Sequence, residues 1–270
     1  MQHQLGMSGS TILSDPDRFD HLFQQGCTHV EIGEFPSQAA FKLFLEKARR
    51  HNVTFGVHSP LIRGGSKYDL IENVAQPVGK ARTEFEQEVH YLSTVGAEYV
   101  LVHFPYFKNS VSYPTKDVIE EGLDFLSRLQ TDYGIPIVCE PKLGQHKSPC
   151  GIHYLHEFPK TLWKQYGLGI CIDLGDYRMA TEDEWKTYIE PLLPFTKVVH
   201  MHNVQLKQEG YIWTLMHPKA YGVFDMQPMI EYLASQQSVF FIFEHTPHTN
   251  PTSNEVAEAI QWIHKSLRNV

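Results

Sequence analysis

Apolar residues gather in short, nearly unbroken runs, and six of these runs stop on His, Asp or Glu. They are VTFGV before His58, YVLV before His103, IPIVC before Glu140, LGICI before Asp173, KVV before His200 and VFFIF before Glu244. Runs without polar alternation predict strands buried on both faces, as in a parallel sheet. Two more strands complete the set, QLGMS from Gln4 to Ser8 and HVEIG from His29 to Gly33. Between strands the period lengthens. Phe41, Phe44, Leu45 and Ala48 fall at i, i+3, i+4 and i+7 of one helix face. Val118, Gly122, Phe125 and Leu129 form a second such stripe, and Val256, Ile260, Ile263 and Leu267 another. Ser37 and Asp15 are placed to cap the helices that follow them.

Eight strands, each followed by a helix, predict an α/β (β/α)8 barrel spanning residues 1–270 as one domain. The rival, a doubly wound open sheet, lacks its glycine fingerprint: Gly6-Met7-Ser8-Gly9-Ser10 does not have G-x-G-x-x-G spacing. Long connections follow the third strand (Ser59 to Gly79), the fifth (Pro141 to Gly151) and the seventh (Val204 to Tyr221). All leave the strand ends where barrels build active sites.

That geometry turns the six run-ending residues into one ring of ligands. Glu140, Asp173, His200 and Glu244 form its centre. Three carboxylates held together repel one another unless a cation intervenes, so a divalent metal is the expected cofactor. Carboxylate-rich ligation favours Mn2+ or Mg2+, and the added imidazoles favour Zn2+. His58 and His103 complete a second metal position or contact substrate oxygens. His202 shares a strand face with His200, so the ligand is one or the other. Glu31 is either a substrate contact or half of a structural salt bridge, and Asp176 a metal-orienting group or a helix cap. His217 enters the site or stays in its loop. Lys142 and Arg178, with Arg63, are candidates for a phosphate or carboxylate. His146, His153 and His156 read as solvated.

Composition narrows the function. The chain has 42% hydrophobic and 20% charged residues, as in ordinary globular proteins. A net charge of −8 gives no electrostatic footprint for nucleic acid. No apolar stretch is long enough for a membrane span, and MQHQLGMSGSTIL lacks the features of a signal peptide, so a cytoplasmic protein is expected. Cys27, Cys139, Cys150 and Cys171 occur singly, which excludes a cysteine zinc knuckle.

The strings VHSPL, YVLVHFP, VCEP, IDLGD, VVHMHN and FEHTP resemble the strand ends of the xylose isomerase-like TIM barrels. That superfamily includes sugar phosphate isomerases and epimerases, inosose and hydroxypyruvate isomerase-like enzymes, and the endonuclease IV group. The resemblance implies that Glu140, Asp173, His200 and Glu244 bind a catalytic metal, with Glu140 and Glu244 exchanging protons with substrate. The implied reaction passes a proton through a metal-stabilised enediolate of a small carbohydrate-like compound. A lyase or dehydratase on the same site is the alternative. In the repair branch His58 and His103 match further ligands. The third metal of that branch needs a His where this chain has Asp176, and an Asp-x-His pair where it has Leu215-Met216-His217. Leucine cannot ligate, which weighs against a DNA phosphodiesterase. Remaining rivals are a glycoside hydrolase using Glu140 and Glu244 and a barrel that only binds.

Overall fold

A computed structural model describes residues 3–108, 115–144, 150–157, 160–208, 210–219, 222–235 and 238–268. The barrel strands are β1 (Gln4–Ser8), β2 (His29–Ile32), β3 (Thr54–His58), β4 (Val100–His103), β5 (Ile137–Glu140), β6 (Gly169–Asp173) and β7 (Thr196–Met201). A hairpin, β8 (Asn203–Lys207) and β9 (Gly210–Thr214), precedes the last barrel strand, β10 (Phe240–Phe243). The eight barrel strands close in the order β1-β10-β7-β6-β5-β4-β3-β2, every pairing parallel. The (β/α)8 barrel expected from the apolar runs is the observed architecture.

The major helices are α1 (Gln38–His51), α2 (Val78–Val95), α3 (Thr115–Tyr133), α4 (Cys150–His156), α5 (Lys160–Tyr166), α6 (Leu174–Thr181), α7 (Trp185–Ile189), α8 (Gln227–Ala234) and α9 (Ser253–Arg268). The stripe read from the sequence is the buried face of α1, and Ser37 caps that helix by accepting the Ala40 N–H at 3.2 Å. In α3 the buried face centres on Ile119, Leu123 and Leu126, with Val118 at its edge. In α9 Val256, Ile260 and Ile263 are buried, and Leu267 packs at the margin.

Two connections depart from the strand-then-helix rule. After β1 the chain forms 3-10 turns, Gly9–Ile12 and Pro16–Leu22, in place of an α-helix. Asp15 does cap, but it caps the second of these turns, accepting from Asp17 N at 3.0 Å. After β7 the expected loop is largely the β8–β9 hairpin, in register from Asn203 against Thr214 to Lys207 against Gly210. Residues 145–149, 209, 220 and 221 of the long connections lie outside the described residues, His146 among them. Among the described residues no helix is long and apolar enough to cross a membrane.

The main core fills the layer between sheet and helices, including Phe19, Phe35, Phe41 and Phe44. A smaller cluster, Tyr99, Leu101, Val138, Cys171, Val198 and Ile242, fills the barrel interior. Polar side chains thread it. The Thr54 hydroxyl is 2.7 Å from His29 Nδ1, His29 Nε2 is 3.2 Å from the Tyr99 hydroxyl, and Tyr99 donates to Glu31 Oε2 at 2.8 Å. Since Tyr99 gives its proton to a carboxylate, its oxygen accepts from His29 Nε2–H, leaving Nδ1 to accept from Thr54. His29 is therefore neutral, and burial pushes its pKa down to about 3.

Unfolded, His29 takes up its proton near pH 6.5, whereas folded it stays neutral to about pH 3. Its contribution to stability is complete above pH 6.5 and is lost as pH falls through that window, at up to about 1.4 kcal/mol per pH unit. Urea unfolding between pH 7 and 4 should therefore show a steeper acid loss in the wild type than in His29→Gln. Equal slopes would contradict a neutral buried His29.

Candidate metal centre

Parallel register places the run-ending residues in one layer: His103 lies opposite Glu140, and Asp173 opposite His200. Glu244 follows β10 directly, its N–H donating to Met201 O at 3.1 Å. Glu140, Asp173, His200 and Glu244 each present a donor atom within 4.8 Å of the others. His58, His103 and Glu140 form a second group at the same spacing.

The two groups share Glu140 through different oxygens. Oε2 lies 3.4 Å from His58 Nε2 and 3.2 Å from His103 Nε2, and the two imidazole nitrogens are 3.1 Å apart. Ligands on a tetrahedral ion with bonds near 2.0 Å are separated by about 3.3 Å. Three donor atoms turned toward one another at that spacing fit a divalent cation. Oε1 faces the other group, 3.2 Å from His200 Nδ1, which is also 2.8 Å from Glu244 Oε2.

The far side of His200 is fixed: its Nε2 is 2.7 Å from Glu31 Oε1. With Nε2–H donating to Glu31, Nδ1 faces the centre, where it holds a proton toward Glu244 or, once that proton is displaced, offers its lone pair to a metal. Glu31 is fully buried, pairs with His200, joins the polar thread below it and also presents a donor atom within 4.8 Å of His58 and Glu244. Burial works to raise the Glu31 carboxyl, but the imidazole of His200 outweighs it and holds the pKa low. Burial equally opposes charge on His200, yet the carboxylates of Glu244, Glu31 and Glu140 raise it well above the ordinary histidine value.

Lys142, two residues beyond β5, folds back over the rim. Its Nζ is 3.0 Å from Glu140 Oε1, 3.1 Å from Asp173 Oδ2 and 2.5 Å from Asp176 Oδ2. Burial would discharge it, but the carboxylates raise its pKa well above normal. Burial also acts to raise Glu140, and Lys142, His200 and His103 pull it well below the usual carboxylate range. Asp176 is raised to about 7 by burial and the adjacent Asp173, with Lys142 pulling the other way. Asp176 is not the cap of α6. Asp173 is, accepting the Asp176 N–H at 2.8 Å.

Other candidates are placed as follows. His200 lies within the donor group, while His202 Nε2 contacts Asp173 Oδ1 at 2.9 Å and its ring lies 4.1 Å from that of Trp213. Gly175 makes room for it, since a Cβ there would come 2.2 Å from His202 Cε1. His217 turns away to Glu258 of α9, at 3.4 Å. Arg178 bonds to Glu182 O and Asp183 and covers the Phe224 ring, so it is not brought to the centre. His153 bonds to Ala180 O, and His156 is exposed.

A cleft of about 320 Å3 opens over the rim, lined by Glu244, His58, His103, Lys142 and Asp176. Its walls are aromatic: Tyr68 and Tyr106 stack at 4.1 Å on one side, and Tyr211 and Trp213 of β9 supply another. Sequence reasoning missed these four and Tyr99. The alternation in YIWT was the one available signal for β9. Glu140 reaches the centre but not the cleft wall: it is completely buried and its two oxygens face the two donor groups.

Glu31→Gln removes the charge that orients His200 while keeping its shape. Divalent-metal affinity, measured by chelator competition, is expected to weaken about 10–100-fold. Unchanged affinity would show that His200 needs no such support.

The family model described as xylose isomerase-like TIM barrel matches residues 19–266. No curated protein matches the chain. Solved structures do. A xylose isomerase domain-containing protein from Salmonella typhimurium aligns with TM-score 0.68 at 15% identity, over 100% of this chain and 98% of that one. D-psicose 3-epimerase from Clostridium cellulolyticum, solved with D-tagatose, aligns with TM-score 0.66 at 11% identity, over 99% of each chain. A family 2 AP endonuclease from Brucella melitensis gives 0.65 at 15% identity, over 98% of this chain and 99% of that one. Identities this low carry the fold alone, whereas the family match spans nearly the whole sequence. The chain belongs to the xylose isomerase-like TIM barrel family.

Proposed function

We propose that the protein is a divalent-metal-dependent isomerase or epimerase acting on a small sugar or related polyhydroxylated carbonyl compound. The observation that carries this reading is the shared carboxylate of Glu140, set beneath a cleft into which Glu244 opens. Two donor groups meeting on one carboxylate suit a pair of divalent ions, with nitrogen and oxygen donors favouring Mn2+ or Zn2+ over Mg2+. When bound, such an ion polarises the substrate carbonyl and lowers the cost of removing the neighbouring C–H proton.

Glu244 is the group that moves this proton. Its side chain is 14% exposed and lines the cleft, and His200 holds it from below at 2.8 Å. The resemblance assigns Glu140 a second proton transfer. Its burial and its four close partners suit it better to holding metal. Lys142 lines the same cleft, and its ammonium is committed to Glu140, Asp173 and Asp176, so it fixes those carboxylates beneath the substrate. The aromatic walls offer flat surfaces to sugar C–H faces and keep water from the reacting carbon.

A phosphodiesterase is less well supported. Leu215 is buried in the core, His217 faces Glu258, and Asp176 is paired with Lys142, so these positions do not assemble a further ligand group. For a phosphorylated substrate Arg178 offers no support, because it lies elsewhere.

Incubation of Mn2+- or Zn2+-loaded protein with aldoses and ketoses in D2O should introduce deuterium next to the carbonyl. Chelation should abolish exchange and metal should restore it, and Glu244→Gln should slow it by about 10^2–10^4-fold. Product analysis separates rearrangement from dehydration. Sugar turnover that survives metal removal would overturn the proposal, as would cleavage of abasic-site DNA without exchange into any sugar.

A further inference from the structure

The proposed reaction leaves a larger space unused. The loops after β1, β2 and β3 enclose a cavity of about 720 Å3 whose walls include Ser10, Leu13, Asp15, Glu34, Arg63 and Lys67. It meets the 320 Å3 cleft along Ser10, His58, Lys67 and Glu244. The smaller cleft lies at the low end of ligand-site volumes, which run from roughly 300 to 1,000 Å3. It suits one sugar unit, and the larger lobe remains.

Backbone strain is concentrated in that lobe. Leu13, Ser14 and Glu34 all line it, and all three have left-handed backbones, with φ of 54°, 50° and 50°. Non-glycine residues adopt this region only where surrounding contacts enforce it, and such sites cluster at ligand clamps. Here the Ser14 hydroxyl bonds to Gly33 O at 2.5 Å, and the Glu34 N–H donates to Pro60 O at 2.7 Å. The three loops are thereby tied to one another.

The lining is amphipathic and balanced in charge. Leu13 is 53% exposed, one of the few large apolar side chains left open to solvent. Arg63 donates to Leu13 O at 3.0 Å, and Lys67 pairs with Glu34 at 2.9 Å. The two cations thus face Asp15, Glu34 and Glu244, which leaves no surplus positive charge for a phosphate. An apolar platform edged by hydroxyls and paired charges matches a sugar ring, which has C–H faces and hydroxyl edges.

We propose that this lobe is a second carbohydrate subsite, and that the substrate is a keto sugar carrying a glycosidically linked sugar unit. The proposal rests on the sugar isomerase or epimerase function above, with the linked unit seated over Leu13 and the reacting unit beside Glu244. The test compares metal-loaded protein with D-fructose, D-fructose 6-phosphate, and the glucosyl-fructoses turanose, maltulose and palatinose, by calorimetry or saturation-transfer NMR. At least one disaccharide should bind about tenfold or more tightly than D-fructose. Leu13→Ala and Arg63→Gln, at exposed positions outside the smaller cleft, should each reduce that advantage while leaving D-fructose affinity unchanged. D-Fructose binding with no disaccharide advantage overturns the subsite and leaves the sugar function standing. Preference for the phosphate ester overturns the carbohydrate assignment of the lobe. Failure of all five to bind overturns both the subsite and the function on which it rests.

Discussion

Negative charge buried inside the barrel is the constraint on which the rest of the molecule depends. Glu31, Glu140, Asp173 and Asp176 are all at most 1% exposed, within the span of one sheet rim. An unpaired ionised carboxylate in such a place costs several kcal/mol, and four of them would be incompatible with a stable fold. Each therefore meets a cationic or hydrogen-bonding partner: His200 and Tyr99 for Glu31, Lys142 and three imidazoles for Glu140, His202 and Lys142 for Asp173, and Lys142 for Asp176. The partners come from different strands, so only a closed barrel brings them together. The same closure aims nitrogen and oxygen lone pairs at common points, which is what a cation requires.

Orientation is set from below. A carboxylate accepts and cannot donate, so Glu31 dictates the direction of every bond in the thread through Tyr99 and His29 to Thr54. It also dictates which nitrogen of His200 is left for the centre. This thread runs beside the buried side chains of Leu101, Val138, Val198 and Ile242, an apolar setting in which hydrogen bonds are strengthened. Gly56 belongs to the same device: a Cβ there would come 2.3 Å from the Tyr99 ring. The apolar interior and the polar thread thus act as one support for His200.

Strands and the ring of polar rim residues were legible in the sequence because a parallel strand buried on both faces has no polar alternation. The first polar residue after Ile172 or Cys139 therefore marks the end of burial by sheet neighbours and the start of the rim. Helix faces were legible for the equivalent reason at period 3.6, as in α1. What escaped depended on partners remote in sequence. Arg178 looked like a rim residue until Phe224 and Asp183 claimed its guanidinium. His217 lies in a rim loop, but the loop path turns its ring to α9. Pro16 opens a seven-residue 3-10 turn, and a single cap residue such as Asp15 serves such a turn and an α-helix alike. The β8–β9 hairpin was hidden because its strands, VQLK and YIWT, are half-exposed and resemble a polar loop.

The hairpin also shows how recognition and chemistry are coupled here. The Trp213 ring packs tilted against His202, His202 contacts Asp173, and Asp173 is held by Lys142. On its other side, the Trp213 carbonyl accepts both the N–H and the hydroxyl of Thr246, two residues beyond Glu244. A shift of this one residue therefore bears on two members of the donor group at once, through its ring on one side and its backbone carbonyl on the other. Rim loops are usually the variable part of a barrel and strand ends the fixed part. In this chain an inserted pair of strands is bonded into the ligand layer itself, so a change in the cleft wall is also a change in the support of Asp173 and Glu244.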